Sequence, residues 1–300
     1  MDSSVKTGYL FYPDKAFQRL TQLRNLSIDL YGHPVFGPGF RYLKLNYIRF
    51  KSCSINALQN NTFVYFPDSV TELHLTECIS IKDKDTGINL LFPFSKLSIL
   101  SLSGTTISLT KGLELFYPFR NKSLEILDLS HMVTHPIYDK QSVIPDTIIL
   151  TAEKTQYLKT ICVKTLALAD NNIVDILPHS FFDSDWKHLS CLEHIDLSGN
   201  RFGFATLGIQ MLIVGPKLSN LKIFDFSFIP LRYKSANYLP VINDFKLNQR
   251  HFKREDANCS DAGIEPLNIS IPPLLEFLRI THVLGAPPLI KLNLKNTASL

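Results

Sequence analysis

Apolar residues recur along this chain in a phrase built on spacings of three and two. Between Val163 and Phe202 the phrase is written twice. The first copy is Val163-x-x-Leu166-x-Leu168-x-x-Asn171-x-Ile173, and the second is Leu192-x-x-Ile195-x-Leu197-x-x-Asn200-x-Phe202, with equivalent anchors 29 residues apart. The period of two predicts a short strand, because successive strand side chains point to opposite faces. Leu166 and Leu168, like Ile195 and Leu197, then share an inner face, and the residues between them face out. The asparagine follows where the chain leaves the strand. Turned inward, its amide can hydrogen-bond backbone groups that the turning chain would otherwise leave unpaired. The stretch Phe181 to Leu189 joins the two copies as an F-x-x-L type of filler.

Imperfect copies extend in both directions. Their central anchors are Leu26, Leu43, Leu73, Leu100, Leu127, Leu166, Ile195, Phe224, Phe245 and Leu278. Successive spacings are 17, 30, 27, 27, 39, 29, 29, 21 and 33 residues. Most lie near the ~20–29 residues of leucine-rich repeats. The 17 leaves the register near Leu43 open. The 39 and 33 predict insertions, roughly residues 131–160 and 251–271, that loop off the stack. Only Asn171 and Asn200 fill the asparagine position. Cys78 and Thr105 stand in for it, and Tyr31, Met132, Ile229, Arg250 and Val283 depart from it.

One such unit cannot bury its apolar face, but stacked units can. The expected fold class is therefore α/β, a leucine-rich repeat solenoid. It is expected as a curved horseshoe with a parallel sheet on its concave face and short helical turns on the convex side. Residues 1–300 read as a single domain of about ten repeats. Asn296 to Leu300 reads as the lead-in to another phrase, and neither end carries a polar cap, so truncation of a longer solenoid at both ends is expected.

Composition changes this picture little. The chain is 45% hydrophobic and 19% charged, with net charge +4, which suits a globular core. The run Lys246 to Arg254 reads as a solvated edge, and no basic cluster reads as a nucleic-acid footprint. No stretch has the ~18 apolar residues of a membrane helix, and the start lacks a signal-peptide pattern. Five cysteines, Cys53, Cys78, Cys162, Cys191 and Cys259, leave at least one unpaired within the chain, and their pairing stays open.

Candidate chemistry is thin. Metal-binding, phosphate-loop and nucleophile motifs are not found, so no catalytic, metal or cofactor-binding residue is expected, and the chain reads as no enzyme. The pair His131 and His135 reads as surface. Asp128, Asp196 and Asp225 share the position after the central anchor and should stack on the concave face, either as a solvated face or as an acidic stripe that contacts a ligand. Five N-x-[ST] sequons, at Asn25, Asn60, Asn121, Asn258 and Asn268, are a mild excess over chance and favour a secreted or lumenal setting.

Several stretches carry a resemblance. They are Ala16-Phe17-x-x-Leu20-x-x-Leu23-x-x-Leu26, Leu177-Pro-His-Ser-Phe181 running on to Leu189 and Asn200, and the lead-ins Phe66-Pro to Leu73 and Ile271-Pro to Leu278. They resemble the repeats of Toll-like receptor ectodomains. The resemblance implies a type I membrane receptor of innate immunity, with this segment facing outside the cell or into an endosome. It implies a microbial or endogenous ligand, a homo- or heterodimer, and signalling through a cytoplasmic TIR domain that lies outside this sequence. The family's ligand contacts vary between members, and none is carried over. The alternative reading is another leucine-rich binding module, either a secreted matrix-type protein or an intracellular sensor. An enzyme with leucine-rich decoration is a third.

Overall fold

The computed structural model describes residues 9–12, 14–55, 58–76, 78, 79, 81, 83–132, 147–177, 180, 186, 188–201, 217–225 and 274–279. Among the described residues helices are few and short: α1 (Asp14–Phe17) and α2 (Leu109–Glu114), with single turns of tighter helix such as Pro38–Tyr42, Tyr117–Phe119 and Leu189–Cys191. Ser108 caps α2, its side chain accepting from the Lys111 amide. The strands are β1 (Tyr9–Phe11), β2 (Asn25–Val35), β3 (Tyr47–Ile55), β4 (Glu72–Leu75), β5 (Cys78–Ile79), β6 (Ile99–Ser101) and β7 (Ser123–Asp128). They continue with β8 (Ile148–Leu150), β9 (Cys162–Ala167), β10 (Ile173–Ile176), β11 (His194–Asp196), β12 (Ile223–Asp225) and β13 (Phe277–Arg279).

All the described pairings are parallel. The main sheet runs β1-β2-β3-β4-β6-β7-β9-β11-β12-β13, with β5 beside β3. One register line threads it: Leu26, Ile48, Leu73, Leu100, Leu127, Leu166, Ile195, Phe224 and Leu278 are successive partners. The line is the repeat phrase itself, one strand per copy. Leu73, Leu100, Leu127, Leu166, Ile195 and Phe224 are fully buried, as are Leu168 and Leu197, while the residues flanking these six anchors are partly or fully exposed except Ser101, which is buried. The hydrogen-bond ladder continues past the strands. The amides of Leu102, Leu129, Leu168 and Leu197 donate to the carbonyls of Asp128, Ala167, Asp196 and Asp225.

Behind the sheet lies a core of stacked leucines and phenylalanines. At its front end Phe36 packs against Phe40, Phe50, Phe63 and Phe66, and Phe94 closes on Phe63 and Phe66. Phe40, Phe63, Leu91, Phe116, Leu158, Leu189 and Leu218 each accept, through their carbonyls, from the amide three residues on. This is the F-x-x-L filler made structural: one tight turn per repeat with two apolar side chains pointed inward.

Three expectations change. The second anchor is Ile48, not Leu43: Phe40 to Leu45 forms a turn and lead-in, and the strand begins at Tyr47. Leu43 and Leu45 are still buried, which is why their spacing mimicked a strand. Second, the insertion at 131–160 does not simply loop off. Its described part carries β8, which pairs with β10 in a separate two-stranded sheet, and it buries Leu150, Thr155 and Leu158. Third, Phe224 pairs directly with Leu278 across β12 and β13; the phrase at Phe245 lies outside the described residues. Ahead of the first phrase, β1 covers only the far end of β2, at His33 to Val35.

Candidate functional site

The open face of the sheet is made of three rows. The row after the anchor reads Ser27, Arg49, His74, Ser101, Asp128, Ala167, Asp196, Asp225 and Arg279. The structure thus places Asp128, Asp196 and Asp225 in one row, with Ala167 separating the first from the other two. Their carboxylates are partly engaged. Asp128 accepts from the Ser101 hydroxyl at 2.9 Å and from the Ser130 amide at 3.0 Å. Asp196 accepts from the Ser198 amide at 2.9 Å. Each aspartate so used turns the chain out of its strand, as short polar side chains do at turns.

The row before the anchor includes Tyr47, Glu72, Ile99, Ile126, Thr165, His194 and Ile223. Ile99 and Ile126 are neighbours, flanked in their row by Glu72 and Thr165, and Ile126 is 37% exposed. One position further back the charges alternate in sign: Glu125, Lys164, Glu193, Lys222. Lys164 donates to Glu125 at 2.8 Å and Lys222 to Glu193 at 2.7 Å. Those hydrogen bonds hold the Lys164 and Lys222 ammonium groups above the usual lysine value, and the Lys222 bond holds Glu193 below the usual carboxylate value. The pairs are solvent-exposed and add little stability.

At the end of the strands lies a buried polar ladder. Asn171, fully buried, accepts from the Met132 amide at 2.8 Å and donates to the carbonyls of Leu129 at 2.7 Å and Leu168 at 3.0 Å. Asn200, 2% exposed, accepts from the amides of Asn171 at 3.0 Å and Ile173 at 3.1 Å. It donates to the carbonyls of Leu168 at 2.8 Å and Leu197 at 2.9 Å. Each asparagine therefore ties its own turn to the preceding repeat. The stand-ins behave differently. Thr105 is buried with no hydrogen-bond partner for its hydroxyl.

A second column was not read from the sequence. At Thr105, Met132, Asn171 and Asn200 the residue before the ladder position is left-handed: Gly104 (φ 70), His131 (φ 57), Asp170 (φ 52) and Gly199 (φ 68). His131 Nδ1 lies 3.3 Å from Asp170 Oδ2. Burial pushes the Asp170 carboxyl up; His131 opposes this and Asp196 adds to it. The signal was present as the Ser-Gly-Asn and Ser-Gly-Thr tripeptides, since glycine marks positive φ. His131 pairs with Asp170, and His135 lies outside the described residues. No cluster of three metal-ligating side chains occurs among the described residues.

Two disulfides were open in the sequence. Cys53 and Cys78, both at the ladder position once Ile48 is the anchor, are bonded with Cα atoms 4.4 Å apart. Cys162 and Cys191, each four residues before its anchor, are bonded with Cα atoms 5.5 Å apart. Each staples neighbouring repeats. Of the sequons, Asn25, Asn60 and Asn121 are exposed, and Asn60 Oδ1 accepts from the Asn89 amide at 2.7 Å. Asn258 and Asn268 lie outside the described residues, as does Cys259. No helix among the described residues is long and apolar enough to cross a membrane.

No protein-family model matches this chain, and no curated protein does. Among solved structures, the crystal structure of the mouse RP105/MD-1 complex contains a similar chain, at 12% identity and a TM-score of 0.31. The match covers 72% of this chain and 44% of that one, so the chain spans less than half the length of the protein it matches. At that level the likeness adds nothing to what the geometry carries.

Proposed function

We propose that this chain is a recognition segment: a leucine-rich repeat solenoid of the Toll-like receptor type that binds a protein or microbial ligand and performs no catalysis. The observation that carries this reading is the open face itself. One parallel strand per repeat presents three continuous outward rows, with the Ile99 and Ile126 pair among polar neighbours. Such a surface contributes apolar contact with a polar surround, the usual anatomy of an interface. Its rear half carries Glu125, Asp128, Glu193, Asp196 and Asp225 against Lys164 and Lys222, in a chain of net charge +4. A ligand with basic residues around an apolar centre fits it best.

The parent is read as a dimerising receptor, with this segment on the extracellular or endosomal side of its membrane. Two disulfides between neighbouring repeats favour an oxidising compartment, and three exposed sequons agree with it. The same disulfides weigh against an intracellular sensor. A secreted matrix-type module is the second reading, since it would share both features.

The test is a binding screen of the chain against purified microbial cell-wall preparations and purified secreted proteins. Ile126→Arg serves as the matched face variant. A ligand held by the wild type and lost by the variant supports the reading. Equal retention by both, for every ligand found, overturns it.

A further inference from the structure

The strands do not begin level. β7 starts four residues before its anchor Leu127, and β9 four before Leu166, while β6 starts one before Leu100. This step leaves an open groove of about 490 Å³ at the strand-start edge. Its walls carry three lysines, Lys96, Lys122 and Lys164, and one carboxylate, Glu125. Leu97 and Leu124 are also in the lining and are buried at 4% and 1% exposure, so the wall is anchored in the core.

We propose that this groove is a binding site for a polyanionic sugar ester, a saccharide or cyclitol bearing sulfate or phosphate groups. Lysine suits such groups as a point charge with three donors on a flexible stem. The lysines can be recruited. Lys96 contacts Asp68 at 3.2 Å, but the two side chains are 61% and 66% exposed. Lys164 contacts Glu125 at 2.8 Å, with 47% and 54% exposure. Exposed pairs of this kind are weak, and an ester with several charges displaces them readily. Lys122 leans over the Phe119 ring, 5.6 Å from its centroid. Ser98 and Ser123, also in the lining, offer hydroxyls to ester oxygens or sugar hydroxyls. Glu125 sets the selectivity. It disfavours a single small anion and leaves the site to a ligand that engages all three lysines at once. The acidic row of Asp128, Asp196 and Asp225 repels such a ligand from the rest of the face and steers it to this edge.

The experiment is calorimetric titration of the chain with sucrose octasulfate and, separately, with inositol hexakisphosphate, at low and at physiological salt. Saturable binding of either, weakening with salt, is expected, and the pair of probes identifies the preferred ester. The variant K96Q/K122Q/K164Q should bind at least about tenfold more weakly, since charge-assisted contacts are lost. The control K44Q/K51Q/K84Q removes the same charge from exposed lysines elsewhere and should bind like the wild type. Lysine acetylation footprinting on the wild type supplies a readout independent of the variants: Lys96, Lys122 and Lys164 should be protected by the ligand. Binding of neither probe, an equal loss in the control, or no protection of the three lysines overturns the proposal.

Discussion

Replacing Asn200 by alanine tests the polar ladder, because every bond it would break can be named. The Asn171 and Ile173 amides lose their acceptor at 3.0 and 3.1 Å, and the Leu197 carbonyl loses its donor at 2.9 Å. The Leu168 carbonyl keeps one donor, from Asn171 Nδ2. An unsatisfied buried polar group costs about 1–3 kcal/mol. Two orphaned amides and one carbonyl would therefore sum to about 3–9 kcal/mol. A water entering the vacated space brings the expected loss to about 3 kcal/mol. Thr105 supplies the contrast, since it occupies the same ladder position with an unpartnered hydroxyl. Thr105→Val should be neutral or stabilise by up to about 1 kcal/mol, because it removes a desolvated group that bonds nothing. Urea unfolding gives both values. Amide exchange locates the first: Asn171 and Ile173 should exchange faster in Asn200→Ala while Leu100 and Leu127 do not. Equal destabilisation by the two substitutions, or unchanged exchange at Asn171 and Ile173, would refute the ladder.

Other outcomes follow from the same geometry. Gly199→Ala should destabilise by at least about 1–2 kcal/mol from its left-handed backbone alone, and an added Cβ would clash with Asp170 Oδ1; Asp170→Ala should relieve the clash but not the backbone part, as thermal melts of the single and double variants would show. Folded Asp170 holds its proton more tightly than the unfolded chain does, so its contribution to stability falls as pH rises from the ordinary aspartate value of about 3.9 towards the raised one. Asp170→Asn should therefore match the wild type at the acid end and exceed it at neutral pH, in urea midpoints taken across that range; parallel curves would refute this. Under mild reductant the half-buried Cys162 and Cys191 should be alkylated before Cys53 and Cys78, which are 3% and 0% exposed. Losing either bridge should cost about 3.5 kcal/mol, since loops of 25 and 29 residues lose nearly equal closure entropy.

The middle of the chain was legible because its phrase is complete. From Leu97 to Leu197 the spacing places each anchor on the register line, and the two asparagines mark their turns. The front was misread because Phe40-x-x-Leu43-x-Leu45 buries the same apolar pattern in a turn as in a strand. Pro38, with its fixed φ, opens that turn. The short spacing of 17 was the warning. Moving the anchor to Ile48 puts Phe50 third and Cys53 at the ladder position, level with Cys78. The cysteine pairs sit at equal repeat positions, so one correct register would have paired them. Strand β8 was missed because Ile148-Ile-Leu150 is a three-residue apolar run inside a polar insertion, too short to show a period. The left-handed column was missed because His131 and Asp170 take a conformation that only its glycines advertise.

In one register, parallel strands place the same position of successive repeats side by side on the open face. Paired cysteines at Ile99 and Ile126 measure it most directly. The two are Cα partners across β6 and β7, so I99C/I126C should form an intramolecular disulfide on mild oxidation. I99C/D128C should not, because Asp128 pairs with Ser101. Cross-linking of the second pair in preference to the first would contradict the register, and with it the recognition face.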